Sequence, residues 1–175
     1  MNRTFAGTLR ASDVGKTVSL AGWVQKQRDF GELVFIDIRD RSGICQIIVD
    51  KARGADDALL ATAKEARSEF VIRVEGAVNA RSDESRNPKI ATGDIEVLAR
   101  KMEILNRSET PPFQIEDETD AAEELRLKYR YLDLRRAALT KNIVLRDAVA
   151  FGVRDYMHRS GFLEIETPML TRSTP

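Results

Sequence analysis

Between Thr17 and Leu105 the apolar residues recur mostly at every second position, broken once by a helix-like stretch over 56–68. A chain patterned this way buries a core only by turning one face of each strand inward. The period predicts strands over 17–28, 32–40, 43–50, 70–81 and 93–105. Asp29-Phe30-Gly31 and Asp40-Arg41-Ser42-Gly43 supply the turns between the first three, since glycine and short polar side chains tolerate tight reversals. Residues 82–89 are polar, contain a proline and read as a surface loop.

Five strands with a helix between the third and fourth is the order of an OB-fold barrel, so the chain is expected to be mainly β over residues 1–106. Two prolines and an acidic run then mark 107–120 as a hinge or linker. In the α/β segment 121–175 the period turns helical: Leu145, Ala148, Val149, Gly152, Val153 and Tyr156 share one face, widened by Val144, Phe151 and Met157. So wide an apolar surface predicts cover on more than one side, by its own domain or a partner subunit. Gly161 suits the left-handed end of that helix, and residues 162–167 alternate as a strand that Pro168 interrupts.

Several function classes are excluded. The only cysteine, Cys45, sits in an apolar run and reads as a small core residue, leaving no disulfide framework and no Cys-based metal site; the only histidine, His158, leaves no triad. No metal-binding set and no phosphate-binding glycine loop is present, and Glu164 and Glu166 are explained by strand alternation. No complete catalytic constellation is found. The absence of a long apolar run, at the N-terminus or elsewhere, makes the cytoplasm the default location and excludes a membrane partner.

With 28 basic and 28 acidic residues, net charge is silent about nucleic acid, so placement must decide. On the second strand Val34, Ile36 and Ile38 share one face, while Leu33, Phe35, Asp37 and Arg39 share the other. If Asp37 pairs with Gln46, then Cys45, Ile47 and Val49 join the core and Gln46 joins Phe35 outside. A phenyl ring stacks on any base and an amide reads a base edge, which suits single-stranded RNA. Lys26, Arg28, Arg39 and Arg41 could contact phosphates or bases. Taken singly, an outward phenylalanine, a surface glutamine and a solvated strand end are also common without any ligand.

Gly22-Trp23-Val24, then Arg28-Asp29-Phe30-Gly31 and Phe35-Ile36-Asp37-Ile38-Arg39-Asp40-Arg41-Ser42-Gly43, resemble the opening domain of bacterial aspartyl-tRNA synthetases. Leu127-Lys128-Tyr129-Arg130-Tyr131-Leu132-Asp133-Leu134-Arg135-Arg136 is a stronger match, and Gly161-Phe162-Leu163-Glu164-Ile165-Glu166-Thr167-Pro168-Met169-Leu170 looks like motif 1 of class II synthetases. The resemblance implies that Phe35 stacks on an anticodon base, Gln46 reads a base edge and Arg28 helps hold the anticodon. It also implies a homodimer built through motif 1, with Gly161 and Pro168 at its interface.

The implied parent is an aspartate–tRNA ligase that uses ATP and magnesium to charge tRNA-Asp. Its motifs 2 and 3 would lie beyond Ser173-Thr174-Pro175. These 175 residues are therefore expected to bind tRNA, to need no cofactor and to form no aspartyl-adenylate. Phe30 departs from the leucine or histidine often found at its turn, so charging of tRNA-Asn as well stays open. Lysyl- and asparaginyl-tRNA synthetases share the barrel and motif 1, but the Asp133-Leu134-Arg135-Arg136 ending favours the aspartyl branch. A stand-alone single-stranded nucleic-acid-binding OB-fold protein would need neither that segment nor motif 1.

Overall fold

The computed structural model describes residues 3–170 and 172; Met1, Asn2, Thr171 and Ser173-Thr174-Pro175 lie outside the described residues. The chain forms two compact units that divide between Pro111 and Pro112.

In the first unit five strands, β1 (Thr17–Asp29), β2 (Leu33–Asp40), β3 (Gly43–Asp50), β4 (Val71–Ala80) and β5 (Ile95–Asn106), close a barrel in the order β1-β2-β3-β5-β4. The expected OB-fold is present, with each strand within two residues of its expected ends. All pairings are antiparallel except β3 with β5, which run parallel through Ile47↔Val97 and Ile48↔Leu98. That one parallel pair seals the barrel, so no sheet edge is left open.

The inward residues are the alternating aliphatics. Leu20, Val24, Val34, Ile36, Ile38, Ile47, Val49, Ile72 and Val74 are all fully buried, and each such side chain contributes about 1.5–3 kcal/mol on leaving water. Cys45 is part of this core; burial pushes its thiol up to about 12, so it stays protonated and is packing material rather than a nucleophile.

Helix α1 (Asp57–Glu65) lies between β3 and β4 and packs Leu59, Leu60 and Ala63 into the core. The Asp56 carboxylate starts it by accepting from the Leu59 N–H at 2.7 Å. It stops three residues short of the expected end, because Ala66 turns extended and is itself buried. The 82–94 loop carries one 3₁₀ turn, Asp83–Ser85.

The second unit contains α2 (Glu123–Lys128), α3 (Arg130–Asp133) and α4 (Ala137–Arg159). Phe113, Ile115 and Leu132 form its small core. Asp133, with no exposed surface, binds Arg130 Nη1 at 2.8 Å and Arg136 Nη1 at 2.9 Å. Arg136 in turn donates to the Glu116 and Asp117 carbonyls. The conspicuous Tyr131–Arg136 stretch therefore ties a buried carboxylate to the incoming chain.

Helix α4 buries no residue of its own: Phe151 is 69% and Tyr156 71% exposed. Gly161, at φ 86°, ends it as expected, its N–H donating to the His158 carbonyl. The strand expected over 162–167 is not formed. Alternation makes a segment fit to pair, but a strand exists only against a partner, and no described segment pairs with this one.

Candidate nucleic-acid interface

The outer face of the β1-β2-β3 sheet is organised by an irregularity in β1. Its register with β2 runs Trp23↔Arg39 and Val24↔Ile38, then jumps to Lys26↔Asp37, Gln27↔Ile36 and Arg28↔Phe35. Gln25 is thus an extra residue, a β-bulge. Without it, Lys26 and Arg28 would share the inward parity of Leu20 and Val24. The bulge turns both cations outward, opposite Asp37 and Phe35, and turns Gln27 in, where its Nε2 donates to the Ala63 and Lys64 carbonyls at 2.8 and 3.0 Å.

β2 and β3 pair in the expected register, Asp37 opposite Gln46 and Phe35 opposite Ile48. On this face four side chains meet. Arg28 Cζ stands 5.5 Å over the Phe35 ring, and its Nη2 reaches both Asp37 oxygens at 3.4 Å. Gln46 Nε2 donates to Asp37 Oδ1 at 3.5 Å. Asp37 thus holds a guanidinium on one side and an amide on the other, in contacts long enough to exchange for better ones. Fixing Nε2 leaves Gln46 Oε1 as the acceptor for an incoming N–H.

Phe30, 67% exposed, meets Phe35 edge-on at 5.9 Å and 85°. It is held out by a tight turn in which Gly31, at φ 84°, donates to Asp29 Oδ1 at 2.8 Å. Two polar atoms nearby in sequence, Gln25 Oε1 and Arg28 Nε, are buried with no hydrogen-bond partner, and such groups carry a free-energy cost that an incoming polar ligand can relieve. Lys26 is exposed at the same strand end.

The structure brings Phe35, Gln46 and Arg28 together, as the sequence suggested, and adds Asp37 as their common partner. It does not bring Arg39. That guanidinium is only 13% exposed, and its Nη2 is held by Glu69 at 2.9 and 3.0 Å. Glu69 has a positive φ of 64°, unusual for a residue with a side chain, and its N–H donates to the Val24 carbonyl beside the bulge. Arg39 therefore braces the sheet. Gln46 is more enclosed than a surface glutamine, at 8% exposed. Gly161 and Pro168 are both exposed in the second unit.

The arrangement offers a stacking ring, an oriented amide and two cations on the outside of a small barrel. Residues 18–105 match the family described as an OB-fold nucleic acid binding domain, and residues 122–175 match the class II tRNA synthetases of the D, K and N group. The chain is 53% identical to the aspartate–tRNA(Asp/Asn) ligase of Syntrophotalea carbinolica, covering 98% of this chain and 28% of that protein. It is also 53% identical to the aspartate–tRNA ligase of Geobacillus kaustophilus, covering 100% of this chain and 30% of that protein. It thus spans less than a third of these relatives' length. Among solved structures, the asparaginyl-tRNA synthetase of Pyrococcus horikoshii superposes with a TM-score of 0.80 at 29% identity, over 97% of this chain and 38% of that one. The aspartyl tRNA synthetase of Entamoeba histolytica does so with a TM-score of 0.86 at 23% identity, over 97% and 40%, and shares the fold.

Proposed function

The chain belongs to the family of OB-fold nucleic acid binding domains, and we propose that it opens a class II aspartate–tRNA ligase whose barrel reads the anticodon loop of tRNA-Asp. The observation that carries this reading is the Phe35 ring sharing one outer sheet face with Arg28, Asp37 and Gln46. An anticodon base stacks on Phe35 while the Gln46 amide, oriented by Asp37, hydrogen-bonds its edge. Arg28 and Lys26 hold the neighbouring phosphates or bases.

Residues 1–106 act as the anticodon-binding domain, 107–120 as a hinge and 121–175 as the opening of the catalytic domain. In the whole protein, aspartate is activated with ATP and magnesium and passed to the tRNA in the cytoplasm. The relatives' names carry two substrate ranges, tRNA-Asp alone and tRNA-Asp with tRNA-Asn.

Binding at one fixed salt concentration tests the reading. The chain should prefer an aspartate anticodon stem-loop over one with its middle anticodon base changed, and Gln46→Ala should reduce that preference about fivefold, the scale of one lost hydrogen bond of roughly 1 kcal/mol. Equal binding of both loops by the unsubstituted chain would leave a general single-strand binder.

The exposed α4 face and Gly161–Leu170 suit a homodimer interface like that built by motif 1. In sedimentation the chain should associate as concentration rises, and Val149→Asp should shift it toward monomer. Monomer throughout would remove self-association by these residues.

A further inference from the structure

A second aromatic and basic group lies elsewhere on the barrel. Phe5, 36% exposed, has the guanidinium carbons of both Arg3 and Arg41 at 5.1 Å from its ring centre. Arg3 is half exposed and anchored by Nη2 to the Ala21 carbonyl at 2.9 Å. Arg41 occupies the turn after β2, is exposed, and among the described residues pairs with no carboxylate. Asp40 is buried, accepts from Ala6 N, Ser42 N and Ser42 Oγ at 2.8, 2.8 and 2.5 Å, and forms only a long ion pair with Arg3 at 3.7 Å.

Two cations gathered at one ring, against one buried carboxylate that reaches Arg3 only at 3.7 Å, leave a surplus of positive charge at this end of the barrel. A purely structural contact needs one arginine, and the second adds repulsion. A guanidinium resting over a ring still presents N–H groups in its own plane, in the fork that matches phosphate oxygens.

The location indicates which phosphate. Arg41 follows Phe35 by six positions, roughly 20 Å at about 3.3 Å per strand residue. A stacked nucleic-acid strand advances about 3.4 Å per nucleotide and an unstacked loop strand more, so that span corresponds to several nucleotides, at most roughly six. A contact several nucleotides from the base on Phe35 lies toward the paired stem.

The geometry points to Arg3 and Arg41, oriented by Phe5, as a clamp for the phosphate backbone of the RNA stem below the loop read at Phe35. This rests on the loop-binding reading above and extends it to a second, sequence-independent contact.

The test is the salt dependence of binding by the full 175-residue chain to the aspartate stem-loop and to its loop sequence as unpaired linear RNA. Arg41→Gln should lower the log–log salt slope on the stem-loop by about 1, and Arg3→Gln with Arg41→Gln by about 2. The preference for the cognate middle base and the slope on linear RNA should stay unchanged. Because Arg41 is solvent-exposed, has no ion pair among the described residues and shares the Phe5 ring with Arg3, the thermal midpoint of Arg41→Gln should stay close to that of the unsubstituted chain, which separates lost contact from lost fold. An unchanged stem-loop slope in Arg41→Gln, or an equal fall on linear RNA, overturns the clamp. Failure of base preference would instead sink the loop reading, and the stem-loop slope would still decide this one.

Discussion

Phe35→Ala should weaken binding of the anticodon stem-loop about 5- to 150-fold, the range set by the roughly 1–3 kcal/mol that a stacked base loses with its aromatic partner. Phe35→Trp should retain most of the affinity. The loss should come without unfolding, because Phe35 is only half-buried on the outer face while the adjacent core positions Val34 and Ile36 are fully enclosed. Fluorescence anisotropy for binding and a thermal melt for stability separate the two effects. A melt unchanged with affinity also unchanged would remove Phe35 from the interface. A double-mutant cycle with Arg28→Ala should show coupling, since Arg28 lies over the same ring and its placement depends on it.

The barrel was legible in the sequence because its signal is local. Alternation across Val34, Ile36, Ile38, Cys45, Ile47 and Val49, with turn residues between the runs, determines both strand position and facing. The Asp37–Gln46 pairing followed from the short turn at Arg41-Ser42, and Phe35 and Gln46 reached one face by that route.

Other features were not local and were missed. Lys26 and Arg28 carry the same parity as Val24, so alternation alone sends two charges into the core. That conflict between charge and period was the available sign of a bulge, yet locating the extra residue at Gln25 needed the partner strand. Arg39 looked like a free cation because its partner, Glu69, is thirty residues away. Residues 162–167 alternate as a strand should, but alternation records what a segment can pair with and not whether the partner lies in the same 175 residues. The apolar surface of α4 makes the same point: its width was readable, its cover was not.

Asp40→Ala should be among the most destabilising single substitutions in the barrel. Its carboxylate sits at the end of β2 with no exposed surface and joins that strand to two segments: the N-terminal arm, through the Ala6 N–H and at longer range Arg3, and the turn, through the Ser42 N–H and hydroxyl. Removing it strands the buried Ala6 N–H, at about 1–3 kcal/mol, and releases the turn by freeing the Ser42 N–H and hydroxyl. The expected loss is on the order of 3 kcal/mol, which for a unit of this size lowers the thermal midpoint by more than about 10 °C. Arg3→Gln is the control, because its half-exposed, 3.7 Å ion pair contributes little. A melt of Asp40→Ala within about 2 °C of the unsubstituted chain, well under the shift expected from 1 kcal/mol, would mean that the arm and the turn hold together without the carboxylate. If instead the midpoint falls as expected, Asp40 explains how Phe5 and Arg41, far apart in sequence, are held within reach of one another: the same three hydrogen bonds that stabilise the barrel end also assemble the proposed stem contact.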